Sequence, residues 1–528
     1  MLDIINIKRA LISVSDKSEL LPLAQCLAES GCEIISTGGT AQFLQENHIA
    51  ITEISKITGN PEAFSGRMKT ISFQVESAIL FDREKDKTEA GALGIEPIDM
   101  VVCNLYPFEK HLNQNADPDT LIENIDIGGP TMIRSAAKNF KFVTVLCNPN
   151  DYQTVIDELK LNDGGVSYVT RKKLMATAFN ITADYDSMIA PAMDKFNGEE
   201  SIRLSFIGGK ELRYGENPHQ QAMIFRERRA VTSLYDIEVL NGIELSYNNI
   251  LDSNAAIESV SGLQSNGCAV IKHNNPCGLA QGKDPNYVLN LAWNGDSVSA
   301  FGGIVAFNFP VSLSTVLFFN FDASEKQERK FIEIIAAPEY SEEALHYLSK
   351  QKKLRVIRFN PELTKNVMDL KFVNGSLLSQ TKDNRLYEKL ELVTKTIFDY
   401  ESKIDLLTFG LHAVRQVKSN AVVAVRETNG CYQLLGIGAG QPNRLNSIRL
   451  ALEKTAANLN AEGKNSMDEV ILISDAFFPF EDNVELSNQC GIKVIVQPGG
   501  SIRDKQVIEK CDQLGISMIL TGTRHFKH

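Results

Sequence analysis

RALISV at residues 9–14, a helical pattern with Leu20, Leu23 and Leu27 on one face and Gly31 as its stop, then CEIIS at residues 32–36: this order decides the fold class. Both short runs are apolar and β-branched without polar alternation, as strands covered on both faces of a parallel sheet require. A strand, a helix and a second such strand make a βαβ unit. A further helical pattern follows CEIIS, and MVVCNLY (100–106) and FVTVLC (142–147) continue the series. A long helical stretch from about Thr170 to Phe196 closes the unit.

The Gly- and charge-containing segment 197–210 marks a boundary. It divides the chain into domains 1–197 and 198–528. LRYGENPHQ (212–220) opens the second region, and residues 311–400 are less regular and richer in charge. From Asp405 the alternation returns: a helix through Phe409, Ala413 and Val417, the strand AVVAV, the run YQLLGIGAG, a helix to about Leu459, then VILIS, KVIVQ and MILTG. This region reads as two α/β subunits of similar design, although no clear sequence repeat relates them.

At 528 residues the chain has room for about three to five compact units and more than one site. A formal net charge of -12 excludes binding to nucleic acid through a general positive field, so an anionic substrate has to be met locally. The N-terminus lacks the pattern of a signal peptide, and no run reaches the ~20 apolar residues of a membrane span. A cytoplasmic enzyme is the expectation. The nine cysteines form no C-x-x-C pair, which fits reduced, mostly buried thiols.

Two polar clusters follow the first two strands: Ser13, Ser15 and Lys17, then Ser36, Thr37, Gly38, Gly39 and Thr40. At the carboxyl ends of parallel strands, such small residues let backbone N–H groups and a helix N-terminus approach a phosphate. The bland reading is a tight turn capping a helix. Lys69 and Thr70 follow Gly66 and Arg67, and Asp126, Gly128 and Gly129 precede a helix carrying Arg134 and Lys138, which a solvated charged face would also explain. The richest cluster is VIKHNNPCG (270–278). Its strand ends in Lys272 and His273, followed by Asn274, Asn275, Pro276 and Cys277. A cation, a base that titrates near neutrality and two amides within one turn make an active-site inventory. A zinc nucleoside deaminase would pair H-x-E with P-C-x-x-C. Here Ala280 stands where the second cysteine should fall, and no H-x-E occurs. GIGAGQ (436–441) misses the G-x-G-x-x-G spacing by one residue and reads as a close-packed turn.

In order and across nearly the whole chain, ISVSDK, STGGT, GRMKT, NLYPF, NIDIGGPTMIRSAAKN, RYGENPHQ, LSYNNI, KHNNPCG, SAFGGIVAFN, VKSNAVV, GIGAGQ, SDAFFPF, QPGGSIRD and the terminal RHF resemble one family. It is the bifunctional purine biosynthesis family, which joins phosphoribosylaminoimidazolecarboxamide formyltransferase to inosine monophosphate cyclohydrolase. The resemblance implies a methylglyoxal-synthase-like N-terminal domain and a transformylase of two cytidine-deaminase-like subdomains without zinc. It also implies a homodimer, 10-formyltetrahydrofolate as co-substrate and no catalytic metal. Carried over by motif, Lys69, Tyr106, Asp126 and Lys138 are the cyclohydrolase catalytic group, with Ser13, Ser15, Lys17, Thr37, Gly38, Gly39, Thr40, Arg67 and Thr70 around the nucleotide. Lys272, His273 and Asn420 are the transformylase group. Arg213, Tyr214, His219, Arg444, Phe478, Arg524 and His528 are its substrate contacts.

The chain departs from that family where K-T-L-H-P-K-x-H-G-G is usual, reading Ile71, Ser72, Phe73, Gln74, Val75, Glu76, Ser77 and Ala78 after Lys69 and Thr70. Without the proline and glycines this stretch is expected to be a loop on a different path, with the Glu76 carboxylate close to a phosphate site. A transformylase with weakened or lost cyclohydrolase activity is the alternative. Leu411 and His412 replace a usual Trp-Lys, and Pro442 and Asn443 precede Arg444. Two readings from other classes are a zinc nucleotide deaminase and a non-catalytic nucleotide-binding regulator.

Overall fold

The computed structural model describes residues 3–60, 63, 69–364 and 368–528. It divides into two compact units, Met1–Ser205 and Phe206–His528. In the first, β1 (Arg9–Val14), β2 (Glu33–Ser36), β3 (Thr52–Glu53), β4 (Met100–Asn104) and β5 (Thr144–Leu146) form one sheet in the order β3-β2-β1-β4-β5. Every pairing is parallel, as the continuously apolar strands require. Helices α1 (Leu20–Glu29), α2 (Gly38–Glu46), α3 (Phe73–Leu80), α4 (Gly128–Lys138) and α5 (Tyr168–Phe196) belong to this unit. Leu11, Ile12, Ile35, Val101 and Val102 form the floor of its core.

The second unit is built on one twelve-stranded sheet. Its strands are β6 (Glu238–Asn241), β7 (Asn266–Lys272), β8 (Asn275–Gly282), β9 (Gly303–Phe307), β10 (Ile332–Ala337), β11 (Arg355–Arg358), β12 (Glu391–Leu392), β13 (Val422–Thr428), β14 (Cys431–Gly438), β15 (Ile471–Ser474), β16 (Val494–Gln497) and β17 (Ser517–Leu520). Their order is β6-β11-β10-β9-β7-β8-β14-β13-β15-β16-β17-β12. Read outward from the centre, the two halves are the same: an antiparallel hairpin, three mutually parallel strands, and an antiparallel edge strand.

This duplication extends to individual residues, although no clear sequence repeat relates the halves. Both hairpins carry a register shift at the same place, between Val270 and Ile271 and between Ala424 and Val425. Ser265-Asn266 precedes one hairpin's first buried strand residues as Ser419-Asn420 precedes the other's. The Asn266 amide donates to the Lys283 carbonyl at 2.9 Å, and the Asn420 amide to the Gln441 carbonyl at 2.7 Å. Helix α7 (Pro285–Trp293) presses the Ala292 carbonyl onto Gly278, as α9 (Arg444–Ala461) presses that of Ala451 onto Gly436. So little else has survived between the halves that periodicity alone could not align them.

A Cβ on Gly436 would stand 2.1 Å from the Ala451 carbonyl oxygen, and one on Gly278 would stand 1.8 Å from that of Ala292. Backbone atoms on both sides leave no flexible partner to yield. Gly436→Ala is therefore expected to destabilise the second unit by about 1–3 kcal/mol. Hydrogen exchange should show lost protection across β13, β14 and α9 with Met1–Ser205 unchanged, and unaltered protection there would refute the close-packing account.

Candidate functional sites

In the first unit the polar clusters lie at the carboxyl ends of β1, β2 and β4. Asn104 ends β4 and fixes the loop after β1: its Oδ1 accepts from the Ser15 and Asp16 N–H groups at 2.7 and 2.9 Å, and its Nδ2 donates to the Asp16 carbonyl at 2.7 Å. Thr40 does the same from α2, its hydroxyl accepting from Val14 N–H and donating to Val14 C=O, both at 3.0 Å. That leaves Ser13, Ser15 and Lys17 on one side and Thr37, Gly38 and Gly39, at the start of α2, on the other. Lys69 closes toward them, its Nζ 3.3 Å from where a Cβ on Gly38 would stand. Thr70 Oγ1 is 2.9 Å from the equivalent position on Gly128, which joins this group to the start of α4.

Asp126 stands just before α4, where its Oδ1 accepts from Gly129 N–H at 2.8 Å and its own N–H donates to the Tyr185 hydroxyl at 2.9 Å. Burial pushes its carboxyl above the ordinary range, opposed by hydrogen bonds from the backbone of Gly129 and Tyr106. Tyr106 itself is exposed. Lys138 occupies the last turn of α4, roughly 15 Å along the axis from Gly128 at 1.5 Å per residue. Arg67 lies outside the described residues.

The altered segment is a helix, which corrects its reading as a loop. Ser72 caps α3, accepting from Val75 N–H at 3.1 Å, and Phe73 takes the first helical position, where a proline is also at home. Exchanging the two therefore leaves the helix in place. Glu76 points across to α4, its Oε2 accepting from the Ser135 hydroxyl at 2.6 Å, while its buried Oε1 has no partner among the described residues. Burial pushes its carboxyl up, against the pull of that hydrogen bond.

In the second unit, antiparallel pairing of β8 with β14 sets the start of β8 beside the end of β14. The Lys272–Asn275 turn thus meets the segment around Asn420, and Lys418 N–H donates to Asn275 Oδ1 at 3.0 Å. His273 and Asn274 both have left-handed backbone, φ 51° and 60°, as the two central residues of a tight hairpin turn of the primed type do. Lys272 Nζ donates to the Phe301 carbonyl at 2.8 Å. Asn275 also donates to the His273 carbonyl at 3.0 Å, and the Asn274 amide faces Leu251 and Asp252. The two asparagines hold the turn, a correction to their reading as donors toward a ligand.

Asn420 is gripped at both ends. Its Oδ1 accepts from Arg444 Nη2 at 2.7 Å, and its Nδ2 donates to Gln441 C=O. Arg444 in turn pairs with fully buried Asp475 at 2.7 Å and donates to Ser474 Oγ at 3.1 Å. The other Asp475 oxygen accepts from the Ser419 hydroxyl at 2.6 Å and Ala421 N–H at 3.0 Å. Burial pushes the Asp475 carboxyl up and the Arg444 guanidinium down, each opposed by the other's charge. The C-terminal tail is stitched to the same loop: Ser419 N–H donates to Lys527 C=O at 2.9 Å, Lys527 N–H to Ser419 Oγ at 3.0 Å, and His525 N–H to Asp475 C=O at 2.9 Å. Arg524 and His528 flank Phe526 in that tail. Sequence reading missed Asp475; its only signal was the Ser-Asp pair opening SDAFFPF.

The remaining residues fall into place differently. Arg213 and Tyr214 pack on one another, with a hydrogen bond of 2.7 Å, against the start of α6 (Tyr247–Ser261), while His219 is exposed. Phe478, expected against substrate, is 0% exposed in the core around Leu472 and Val484, so its ring presents no surface to a ligand; Phe480, 49% exposed beneath Arg503, is the aromatic that the same motif presents. Cys277 is buried, donates to the Val270 carbonyl, and has its thiol pushed up to about 12 by burial, so it is no nucleophile at neutral pH. His412, on helix α8 (Ile404–Arg415), is a satisfied core histidine, at 2.7 Å from the Ser259 carbonyl and lowered to about 4 by burial.

At the other end of the duplicated hairpins, Arg426 and Glu427 stand where Lys272 and His273 do. Arg426 is buried against Gln433 and Glu462, at 2.7 Å each, and Glu427 pairs with Lys403 at 2.9 Å. Internal pairs occupy that end, whereas His273 is exposed at the other.

The raised Glu76 carboxyl gives a test of the first unit. A folded value above the unfolded one means the contribution to stability is greatest in acid and falls as pH rises past the ordinary glutamate range. Glu76→Gln keeps the Ser135 contact and removes the charge. It is expected to raise the midpoint of thermal unfolding at about pH 7 and to leave it nearly unchanged at about pH 4. Equal shifts at both would refute the cost of burying this charge.

With this geometry in view, comparison with known proteins is direct. The AICARFT/IMPCHase bienzyme model matches residues 136–454, and the MGS-like domain model matches residues 19–131. A bifunctional purine biosynthesis protein PurH of Clostridium botulinum is 44% identical over 524 residues, covering 99% of this chain and 100% of its own. The protein of the same description from Aquifex aeolicus is also 44% identical, over 98% and 100%. Among solved structures, the crystal structure of ForH aligns at 34% identity over 34% of this chain and 94% of its own, with a TM-score of 0.32. An MGS-like domain followed by duplicated α/β halves, matched over essentially its whole length, makes this chain a member of the AICARFT/IMPCHase bienzyme family.

Proposed function

We propose that the chain performs two consecutive steps of purine synthesis: transfer of a formyl group from 10-formyltetrahydrofolate to 5-aminoimidazole-4-carboxamide ribotide, then closure of the product to inosine monophosphate with loss of water. The observation that carries the reading is the meeting of the Lys272–His273 turn with the Asn420–Arg444–Asp475 network at one end of the central sheet.

In the first step the exocyclic amine, weakened by delocalisation of its lone pair into the imidazole, attacks the formyl carbon. His273 takes the amine proton as the new C–N bond forms. The Lys272 ammonium and the second Asn420 amide hydrogen, the first being held by Gln441, stabilise charge on the formyl oxygen until the folate C–N bond breaks and that nitrogen leaves with the proton that His273 took. Arg213, Tyr214, Arg524 and His528 orient the ribotide and folate, and Arg444 acts through Asn420, whose side chain it orients.

In the second step the carboxamide nitrogen attacks the formamide carbon of the same molecule, so positioning dominates. The loops after β1 and β2, with Lys69 and Thr70, cradle the phosphate. Asp126 and Tyr106 move protons, and Lys69 supplies charge. The alternative of a failed cyclohydrolase loses its main support, because Glu76 is turned into the α3–α4 contact with Ser135 instead of standing in a loop at the phosphate.

We also place the protein in the cytoplasm as a homodimer. Nine free cysteines, eight of them buried, suit a reducing compartment. The hairpins Phe206–Leu212 with Ala222–Glu227 and Met368–Val373 with Ser376–Thr381 expose Phe206, Phe225, Met368, Phe372 and Leu378, and an isolated two-stranded hairpin is marginal in water without a covering surface.

His273→Ala is expected to lower formyl transfer by roughly 100-fold or more while cyclisation of supplied formylated ribotide stays within about twofold. Steady-state assays of both steps on one preparation check this, and parallel loss of both in a folded variant would refute two separate sites. Tightly bound zinc, required for turnover, would instead favour a deaminase.

A further inference from the structure

The turn that presents Lys272 and His273 needs a restraint that neither residue supplies. Two successive left-handed residues bring each Cβ against the following carbonyl, and a histidine in that conformation is uncommon. The asparagines brace it from within, and the Asn274 side chain and N–H need a partner outside the turn. Asp252, in the second turn of α6, is there: its Oδ1 accepts from Asn274 N–H at 2.7 Å, and the His273 N–H also faces it. The Asn274 side chain reaches the same carboxylate at 3.2 Å and the Leu251 carbonyl at 3.1 Å.

Helix α6 is a rigid mount. A reciprocal capping box between Ser246 and Asn249 fixes its start, with contacts of 3.3 and 3.1 Å, and Asn249 extends to Glu333 at 3.2 Å. The same start receives the Arg213–Tyr214 segment, because Tyr247 N–H donates to the Tyr214 carbonyl at 3.1 Å. One helix therefore holds the reactive turn through Asp252 and a substrate-contact segment through its first residue. Nothing in sequence spacing marks Asp252, which stands in an otherwise ordinary helical run.

We infer that Asp252 is a positioning residue for formyl transfer, its carboxylate oxygen holding the left-handed His273–Asn274 turn so that the imidazole meets the amine. The inference rests on the reading of Lys272 and His273 as the transformylase group. It separates from that reading by experiment, because loss of activity in His273→Ala tests the group and the Asp252 variants test what holds it.

The test uses the full chain with three variants: Asp252→Ala, Asp252→Asn, and Asp252→Ala combined with Asn274→Gly. Asp252→Ala is expected to lower kcat for formyl transfer by roughly 10- to 100-fold, with KM for the ribotide within about threefold and cyclisation unaffected. Asp252→Asn keeps an acceptor oxygen for Asn274 N–H and should retain most of the rate. Adding Asn274→Gly to the alanine variant should recover much of the loss, because glycine takes positive φ without a Cβ penalty. Near-normal kcat in Asp252→Ala, equal loss in the alanine and asparagine variants, or no recovery with glycine would each overturn the inference.

Discussion

The antiparallel pairing of β8 with β14, Ala280 opposite Gln433 and Gln281 opposite Tyr432, is the contact on which the second unit depends. It fuses two six-stranded halves into one sheet. Gln433 seals the seam, its amide donating to the Leu291 carbonyl at 2.9 Å and its oxygen accepting from Arg426. Because the strands run in opposite directions, the tip of one half's hairpin falls beside the foot of the other's. Residues almost 150 positions apart are brought together by backbone direction alone.

A duplicated sheet offers two such meeting points, and side-chain chemistry decides between them. At one, the arginine and glutamate near the end of β13 are paired internally, Arg426 buried against Gln433 and Glu462 and Glu427 half-buried against Lys403. At the other, Lys272 ends its strand and donates to the Phe301 carbonyl, while His273 opens the tight turn and stays exposed. On the facing side, burying Asp475 without water costs more than it returns unless its partners are complete. Arg444, Ser419 and the Ala421 N–H complete them, and Asn420 is oriented as a consequence.

The first unit reaches a comparable result with less tertiary machinery. The polar loops after β1 and β2 begin directly at strand ends, and local hydrogen bonds from Asn104 and Thr40 shape them. The changed segment after Thr70 keeps a regular local structure. A serine cap restores the helix start that the missing proline would have favoured, and Glu76 finds Ser135 on the neighbouring helix.

What the sequence determined alone was whatever depends on short range: the apolar runs that demand a parallel sheet, the polar clusters at the ends of β1 and β2, and Lys272 and His273 at the end of β7. Motif order also carried the family. What it could not determine was which buried polar group meets which. The repeat between the halves is held by the register shifts and by glycines facing helix carbonyls, not by similar side chains, so it is invisible without the sheet. Phe478 and Phe480, two residues apart in one aromatic motif, differ only in which side of the segment faces the core. Asp252 and Asp475 read as ordinary acids until helix α6 and strand β15 set them against a strained turn and a buried arginine, because burial and hydrogen-bond geometry are properties of the packed chain and of no segment within it.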